Sequence, residues 1–168
     1  MNDEYIYFEG ANMKGNEKVL EVLNMMLADE LTAINQYIVH AEMAADWGYE
    51  ALHEVAEKRA IDEMKHAEML IERILFLEGR PIVSELKGIH IGDKVEKQIT
   101  NDQKSELDAI HAYNNAIKVA GENNDFGTRE IFEKILQDEE AHLDTLEAQQ
   151  SQIEQMGIQI FLAEQLEE

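Results

Sequence analysis

One set of glutamate and histidine residues occurs twice in this chain with the same spacing. Each copy contains a D-E-x-x-H motif, and a lone glutamate lies 33 residues before the motif's own glutamate. Each lone glutamate begins an E-L-x-A-I-x-x-Y sequence, and the second copy follows the first by 76 residues throughout. The chain is therefore an internal duplication of one helical hairpin. The repeated residues are Glu30, Glu63, His66, Glu106, Glu139 and His142.

These side chains have the chemistry of a site for two metal ions. Residues three apart share one face of a helix, so each glutamate–histidine pair points one way. Glu30 lies four residues after Met26 and four before Ile34, on an apolar stripe that should be buried. Four buried carboxylates would repel one another, whereas two divalent cations would neutralise them. Because imidazole ligands favour iron or manganese over calcium, we predict that all six residues are catalytic ligands of a di-iron centre.

Other polar residues lie close to these motifs in the sequence. Asp62 and Asp138 each precede a histidine by four residues, and their short side chains suit a supporting or surface position. Tyr37 and Tyr113 follow the lone glutamates by seven residues, so they are interpreted as core residues, as hydrogen-bond partners of ligands, or as part of an oxidation path, and the core is favoured. Glu140 should face solvent. The other histidines lack a partner at matching spacing and are interpreted as ordinary polar residues: His40, His53, His90 and His111.

Apolar periodicity predicts four long helices and a short terminal one. The first two and the next two are separated by short turns, whereas the second and third are joined by a longer connection. Two hairpins joined by a long crossover form a ferritin-like four-helix bundle, and the alternative is an up-down bundle with a floppy middle loop. The expected helices span about residues 17–45, 49–78, 93–120, 127–156 and 158–166, with the connection at 81–92.

Composition limits the classes of function. The 168 residues include 36 acidic and 14 basic side chains, so the net charge of −22 disfavours nucleic acid and anionic membranes as partners. The absence of cysteine excludes disulfides and thiolate metal sites. Without a recognisable signal peptide or membrane-spanning run, the protein is expected to be cytoplasmic. Length predicts one domain at 13–168, preceded by an extension of unknown role at 1–12.

From Met13 to the C-terminus, the sequence closely resembles the bacterioferritins, the haem-containing bacterial ferritins. The resemblance covers both halves of the chain. It rests on M-K-G at 13–15, I-N-Q-Y at 34–37, W-G at 47–48, I-D-E-M-K-H-A at 61–67, I-E-R-I-L-F-L-E-G at 71–79, D-E-E-x-H at 138–142 and Q-M-G at 155–157.

The resemblance implies an iron store with ferroxidase activity. Such proteins form a hollow shell of twenty-four subunits built from two-fold dimers, oxidise iron(II) with dioxygen or hydrogen peroxide, and keep iron(III) mineral inside. The six repeated residues would form the ferroxidase centre, with Glu63 and Glu139 bridging the irons. Met64 would be an axial ligand of haem b shared by two subunits; its alternative role is packing at that interface. A ferredoxin-type reductase is the expected partner for iron release.

The sequence departs from the family pattern in two places, and other functions remain open. Lys58 replaces a histidine of the inner surface, which argues against an accessory iron site there. The apolar stretch at 5–8 lies before the usual start at Met13. The alternatives are a rubrerythrin-type di-iron or di-manganese peroxidase and a haem-carrying structural subunit of a mixed shell. The sequence leaves three further alternatives open. The oxidant is dioxygen or peroxide, the shell contains one or more kinds of subunit, and iron either stays in the centre or passes through it.

Overall fold

Five helices account for most of residues 14–166, the part of the chain that this computed structural model describes. Residues 14–166 contain no β-strand, so the predicted all-α fold is confirmed. The predicted extension at 1–12 and Met13 lie outside the described residues. The helices are α1 (Glu17–Asp46), α2 (Glu50–Phe76), α3 (Val95–Glu122), α4 (Phe126–Met156) and α5 (Ile158–Ala163).

The end of α2 is closed by two residues after the last turn, Glu78 and Gly79. The left-handed position is occupied by Glu78, with φ of 58°, and not by Gly79. The N–H of Glu78 donates to the carbonyl of Leu75 and that of Gly79 to the carbonyl of Ile74, which is a Schellman ending. Glycine is needed at 79 for space, because a Cβ atom there would lie 2.5 Å from a methyl of Leu20.

Contacts between helices define the topology. The Tyr37 hydroxyl reaches Glu106 and the Tyr113 hydroxyl reaches Glu30, so α1 and α3 are antiparallel neighbours. Contacts of His66 with Asp138, and of later residues in α2 with earlier ones in α4, make those helices antiparallel neighbours too. Since α1 and α2 also form a hairpin, α2 and α3 must be parallel. The chain therefore needs a crossover along the bundle, as predicted for a ferritin-like fold.

The crossover is held along α1 by a row of side chains. Backbone N–H groups of the crossover would otherwise depend on solvent, and four of them donate to acceptors one or two turns apart on α1 at 2.8–3.0 Å. The alternative of a floppy middle loop is therefore wrong. The donors Ile82, Lys87, His90 and Gly92 meet, in that order, the acceptors Asn24, Thr32, Gln36 and His40.

Two apolar clusters lie at opposite ends of the bundle. The larger joins all four long helices, with Leu23, Leu70 and Phe132 fully buried. The smaller surrounds Phe161 of α5, which packs near Leu146 and closes the other end. The polar residues of the candidate site lie between these clusters, in the middle of the bundle. No helix among the described residues is both long and apolar enough to cross a membrane.

Candidate metal centre

The four long helices bring the six repeated residues together inside the bundle. Two groups of four side chains each have ligand atoms within 4.8 Å of one another. One group contains Glu30 and His66, and the other contains Glu106 and His142. Glu63 and Glu139 belong to both groups, so the two groups share a pair of carboxylates. The arrangement has the form of two adjacent metal positions, each with one terminal glutamate and one histidine.

Every predicted ligand is buried or nearly so. Both histidines aim Nδ1 at the glutamates: the His66 atom lies 2.8 Å from Glu63 Oε2 and 3.3 Å from Glu139 Oε1. The His142 atom lies 3.1 Å from Glu63 Oε1 and 3.5 Å from Glu139 Oε2. Although these atoms are close, neither His142 Nδ1 nor Glu63 Oε1 has a hydrogen-bond partner. A buried donor set with unpartnered atoms suits metal ions, because a bound cation would satisfy the lone pairs that protein hydrogen bonds do not.

The electrostatics of the site reflect the crowding of carboxylates. Burial raises the pKa of Glu30 well above its ordinary value, and repulsion from Glu139 and Glu63 adds to this effect. Burial also raises the pKa of Glu106. For Glu139 burial acts in the same direction, but the two neighbouring histidines outweigh it and lower the pKa to about 2. The pKa values of Glu30 and Glu106 are therefore shifted in the opposite direction from that of Glu139.

The pKa values of both histidines are raised, because the carboxylates around them favour the protonated ring. Burial alone would lower the pKa of His142, but the neighbouring carboxylates of Glu139 and Glu63 raise it to about 9. The pKa of His66 is raised as well, because Glu139, Glu30 and Glu63 outweigh its burial. Metal binding requires neutral imidazole and ionised carboxylates, so cations must displace these protons.

Each of the two predicted histidine ligands lies near a carboxylate outside the ligand set. His66 Nε2 lies 3.2 Å from Asp138 Oδ2, and His142 Nε2 lies 3.7 Å from Asp62 Oδ2. Each D-E-x-x-H motif therefore supports the histidine of the other copy. Asp62 also pairs with Lys58, which is exposed. Lys58 stands where the resemblance predicts a histidine of the inner surface.

The two tyrosines are buried, and both also contact predicted ligands. The Tyr37 hydroxyl donates to Glu106 Oε1 at 2.7 Å, and the Tyr113 hydroxyl donates to Glu30 Oε1. Sequence favoured a simple core role, but the buried hydroxyls have these carboxylates as hydrogen-bond partners. They therefore connect each lone glutamate to the helix that faces it across the bundle.

Met64 lies apart from this cluster. Its side chain is 47 % exposed and points away from the bundle interior, although Glu63 beside it is buried. It lines a shallow groove between α1 and α2 together with Ile38, Ala60 and Ile61. The groove is apolar and open. Glu140 is also exposed, as predicted.

Sequence reasoning missed a buried polar network beside the centre. His40, interpreted as an ordinary polar residue, is 1 % exposed and pairs with buried Asp102. Asp102 also pairs with buried Arg59. A signal was available in the sequence, because Arg59 precedes Glu63 by four residues and Asp102 precedes Glu106 by four. That spacing places both charged residues one turn from a ligand on the same helix face.

Comparisons with known proteins agree with this geometry. The ferritin-like domain family matches residues 20–156. The chain is 41 % identical over 149 residues to a bacterioferritin of Rhodobacter capsulatus, covering 89 % of this chain and 92 % of that protein. It is 38 % identical over 152 residues to a bacterioferritin of Mycolicibacterium paratuberculosis, covering 90 % and 96 %. It is also 38 % identical over 156 residues to one of Streptomyces coelicolor, covering 93 % of each chain.

Proposed function

Since this chain belongs to the bacterioferritins, within the ferritin-like family, we propose that it is an iron store that oxidises iron(II) at the centre described above. The observation that carries the proposal is the pair of overlapping ligand groups sharing Glu63 and Glu139. Iron(II) is the substrate, dioxygen or hydrogen peroxide is the oxidant, and iron(III) is the product retained as mineral.

The charges and positions of the side chains suit a two-electron reaction. Four carboxylates carry four negative charges when ionised, which balances two iron(II) ions. The shared carboxylates of Glu63 and Glu139 would hold both ions close together. Each iron(II) gives up one electron, and the pair of electrons with two protons converts dioxygen to hydrogen peroxide, or hydrogen peroxide to two water molecules. Holding two one-electron donors side by side therefore matches the demand of the oxidant.

The partners of the ligands have supporting roles in this proposal. Asp138 and Asp62 lie at the outer nitrogens of the histidines, where they fix ring orientation and keep Nδ1 turned toward the centre. Tyr37 and Tyr113 hold the lone glutamates by hydrogen bonds. The hydroxyls also lie where a phenol could give an electron to the centre. The same residues thus position the ligands before iron arrives.

Retention of iron requires an enclosed space, which a single bundle does not provide. We propose a shell of twenty-four copies in the cytoplasm, built from two-fold dimers, with a ferredoxin-type reductase for iron release. The net charge of −22 per chain would concentrate cations near the shell. Exposed apolar side chains at Ile38, Ile61 and Met64 supply a face for the two-fold contact. On that face, Met64 of each copy would bind one side of a shared haem b, since thioether sulfur is a haem ligand and the groove is apolar.

Iron titration tests the main proposal. Anaerobic addition of iron(II) to the metal-free shell should fill two ions per subunit, and admitted oxygen should oxidise them and then support mineral growth. Glu63→Ala should remove the rapid phase and lower metal content without changing particle mass, whereas Glu140→Ala should behave as wild type. Catalytic peroxide turnover without retained iron would point instead to a rubrerythrin-type peroxidase. A wild-type protein that shows neither iron oxidation with mineral growth nor peroxide turnover would be a structural subunit.

Haem binding is tested separately. Shells produced with ample haem should contain one haem for every two subunits, measured by the absorbance of the pyridine complex. Met64→Leu should abolish this absorbance, while Met25→Leu, a change at another exposed methionine, should retain it. Wild-type shells without haem absorbance would remove the haem assignment and leave the iron proposal intact.

A further inference from the structure

The two halves of the centre are alike at the ligands and different immediately beside them. The 76-residue repeat relates each position in the first hairpin to one in the second, so every neighbour of one terminal glutamate has a counterpart at the other. Beside Glu106 the neighbours are polar, and beside Glu30 their counterparts are apolar. The polar residues Arg59, Asp102, Gln36 and His40 correspond to Ile135, Met26, Ala112 and Ala116.

Arg59 is the cation that distinguishes the Glu106 half. Its side chain is buried, and its Nε lies 3.9 Å from Glu106 Oε1. Its Nη1 lies 3.2 Å from Asp102 Oδ2, and its guanidinium carbon lies 5.2 Å from the centre of the Tyr37 ring. Arg59 thus contacts a ligand, the tyrosine that holds that ligand, and a counter-ion. Because guanidinium stays protonated in proteins, this positive charge is permanent.

Asp102 is held on the side of Arg59 away from the ligands. Its Oδ1 accepts hydrogen bonds from Gln36 at 2.8 Å and from His40 Nδ1 at 2.9 Å. The other nitrogen of His40 accepts a hydrogen bond from the N–H of Gly92, so the proton of a neutral ring lies on Nδ1. The anion therefore has a full set of partners and stays in place. The buried ion pair is oriented with its positive end toward the centre.

The Glu30 half has no corresponding charge among the residues that the structure describes. Its terminal glutamate contacts the Tyr113 hydroxyl. The counterparts of the ion pair, Ile135 and Met26, are fully buried in the apolar cluster. A divalent cation in this half would meet the carboxylates and His66 without a nearby arginine.

We propose that Arg59 is a positioning residue that makes the two metal positions unequal. The position formed by Glu106 and His142 binds divalent cations more weakly than the position formed by Glu30 and His66. A permanent positive charge near one position opposes the cation there, and low-dielectric surroundings strengthen that effect. The first ion then occupies the Glu30 position, and the second ion completes the pair. This inference rests on the proposed function of the same site.

Titration with Co²⁺, which air does not oxidise under these conditions, tests the inference by a measurement other than iron oxidation. Absorbance of bound Co²⁺ in wild-type shells should give two binding steps, separated on the order of tenfold in affinity. Glu30→Gln should remove the tighter step, and Glu106→Gln should remove the weaker one. These two variants assign each step to a position.

Paired substitutions then remove the charges of Arg59 and Asp102 together, so that no unpaired charge stays buried. Arg59→Ile with Asp102→Met replaces the ion pair by its counterparts in the apolar half, and Arg59→Gln with Asp102→Asn keeps shape and hydrogen bonding if the first pair fails to fold. Either pair should bring the two steps together, while Arg59→Lys should keep them apart. The control, Arg129→Ile with Glu133→Met, removes an exposed arginine–glutamate pair on α4 and should leave both steps unchanged.

The outcomes separate this inference from the proposed function. An unchanged ratio of affinities in a folded, charge-free pair would overturn the role of Arg59, and so would assignment of the tighter step to Glu106. Equal affinities in the wild type would overturn it as well. Failure of the wild type to bind two Co²⁺ ions per subunit would instead overturn the metal centre itself.

Discussion

Replacing Glu139 by glutamine should remove most of the stabilisation that divalent cations give to this protein. Glu139 belongs to both ligand groups, whereas Glu30 belongs to one. Glu140 is the next residue on the same helix, and it is exposed and outside both groups. Three substitutions of one kind, glutamate to glutamine, therefore remove a ligand charge from two positions, one position or none.

The size of the effect follows from binding linkage. A cation at about 100 times its dissociation constant stabilises the folded state by about 2.7 kcal/mol for each independent site. Two positions give about 5 kcal/mol, and each kcal/mol raises the melting temperature of a domain of this size by about 2–4 °C. The wild type should therefore gain roughly 10–20 °C on saturation. Glu140→Gln should gain as much, Glu30→Gln about half, and Glu139→Gln the least.

The assay is thermal unfolding followed by circular dichroism, with Co²⁺ or with a chelator, at one pH and one protein concentration. Each variant is compared with itself, so any effect of the substitution on the metal-free fold cancels. Equal gains for Glu30→Gln and Glu139→Gln would refute the assignment of Glu139 to both positions. A gain for Glu140→Gln as small as that for Glu139→Gln would show that net charge, and not ligation, determines the effect.

Three further outcomes are expected. Because the pKa of His142 is raised to about 9 and metal binding needs the neutral ring, Co²⁺ affinity should increase between about pH 6 and 9, with proton release seen by calorimetry in buffers of different ionisation enthalpy. Asp125 caps α4 and pairs with Arg73 at 2.6 Å, so its lowered pKa stabilises the fold above pH 3.8 and this stabilisation is lost as pH falls through the lower folded value. Asp125→Asn should cost about 1–3 kcal/mol in urea unfolding at pH 7, with the difference vanishing in strong acid. Asn24→Ala should speed hydrogen exchange at the N–H of Ile82, measured by mass spectrometry, without changing helix content.

The helices and the convergence of six residues inside the bundle could be predicted because both depend on short-range spacing. An apolar residue every three or four positions defines a helix face, and Glu30 and Glu106 lie on those faces. The equal intervals in the two copies then select six residues from 36 acidic side chains and six histidines. The long connection at 81–92 also indicated the crossover, because parallel neighbours need a chain segment as long as the bundle.

Contacts across the bundle could not be predicted in the same way. Periodicity gives the direction of a side chain relative to its own helix, but not the residue that it meets on another helix. Sequence therefore suggested a supporting or surface position for Asp62 without identifying its partner, which in the structure is His142 of the other copy. His40 was misjudged for the same reason, since its partner Asp102 lies 62 residues away on α3. Buried polar residues need such partners, and only the three-dimensional arrangement identifies them.

This fold buries four carboxylates close together, which is unfavourable because like charges repel and burial removes their solvation. The pKa shifts in the site reduce this charge repulsion: burial raises the pKa of Glu30 and Glu106, and the neighbouring carboxylates raise the pKa of His66 and His142. The two apolar clusters on either side of the centre do not include a ligand, so the bundle has packing that is independent of metal. Folding can therefore precede metal binding, and under the proposed function iron(II) would enter by exchange with the protons of the histidines. An iron store needs this order, because each subunit must be folded and assembled before there is a cavity to fill.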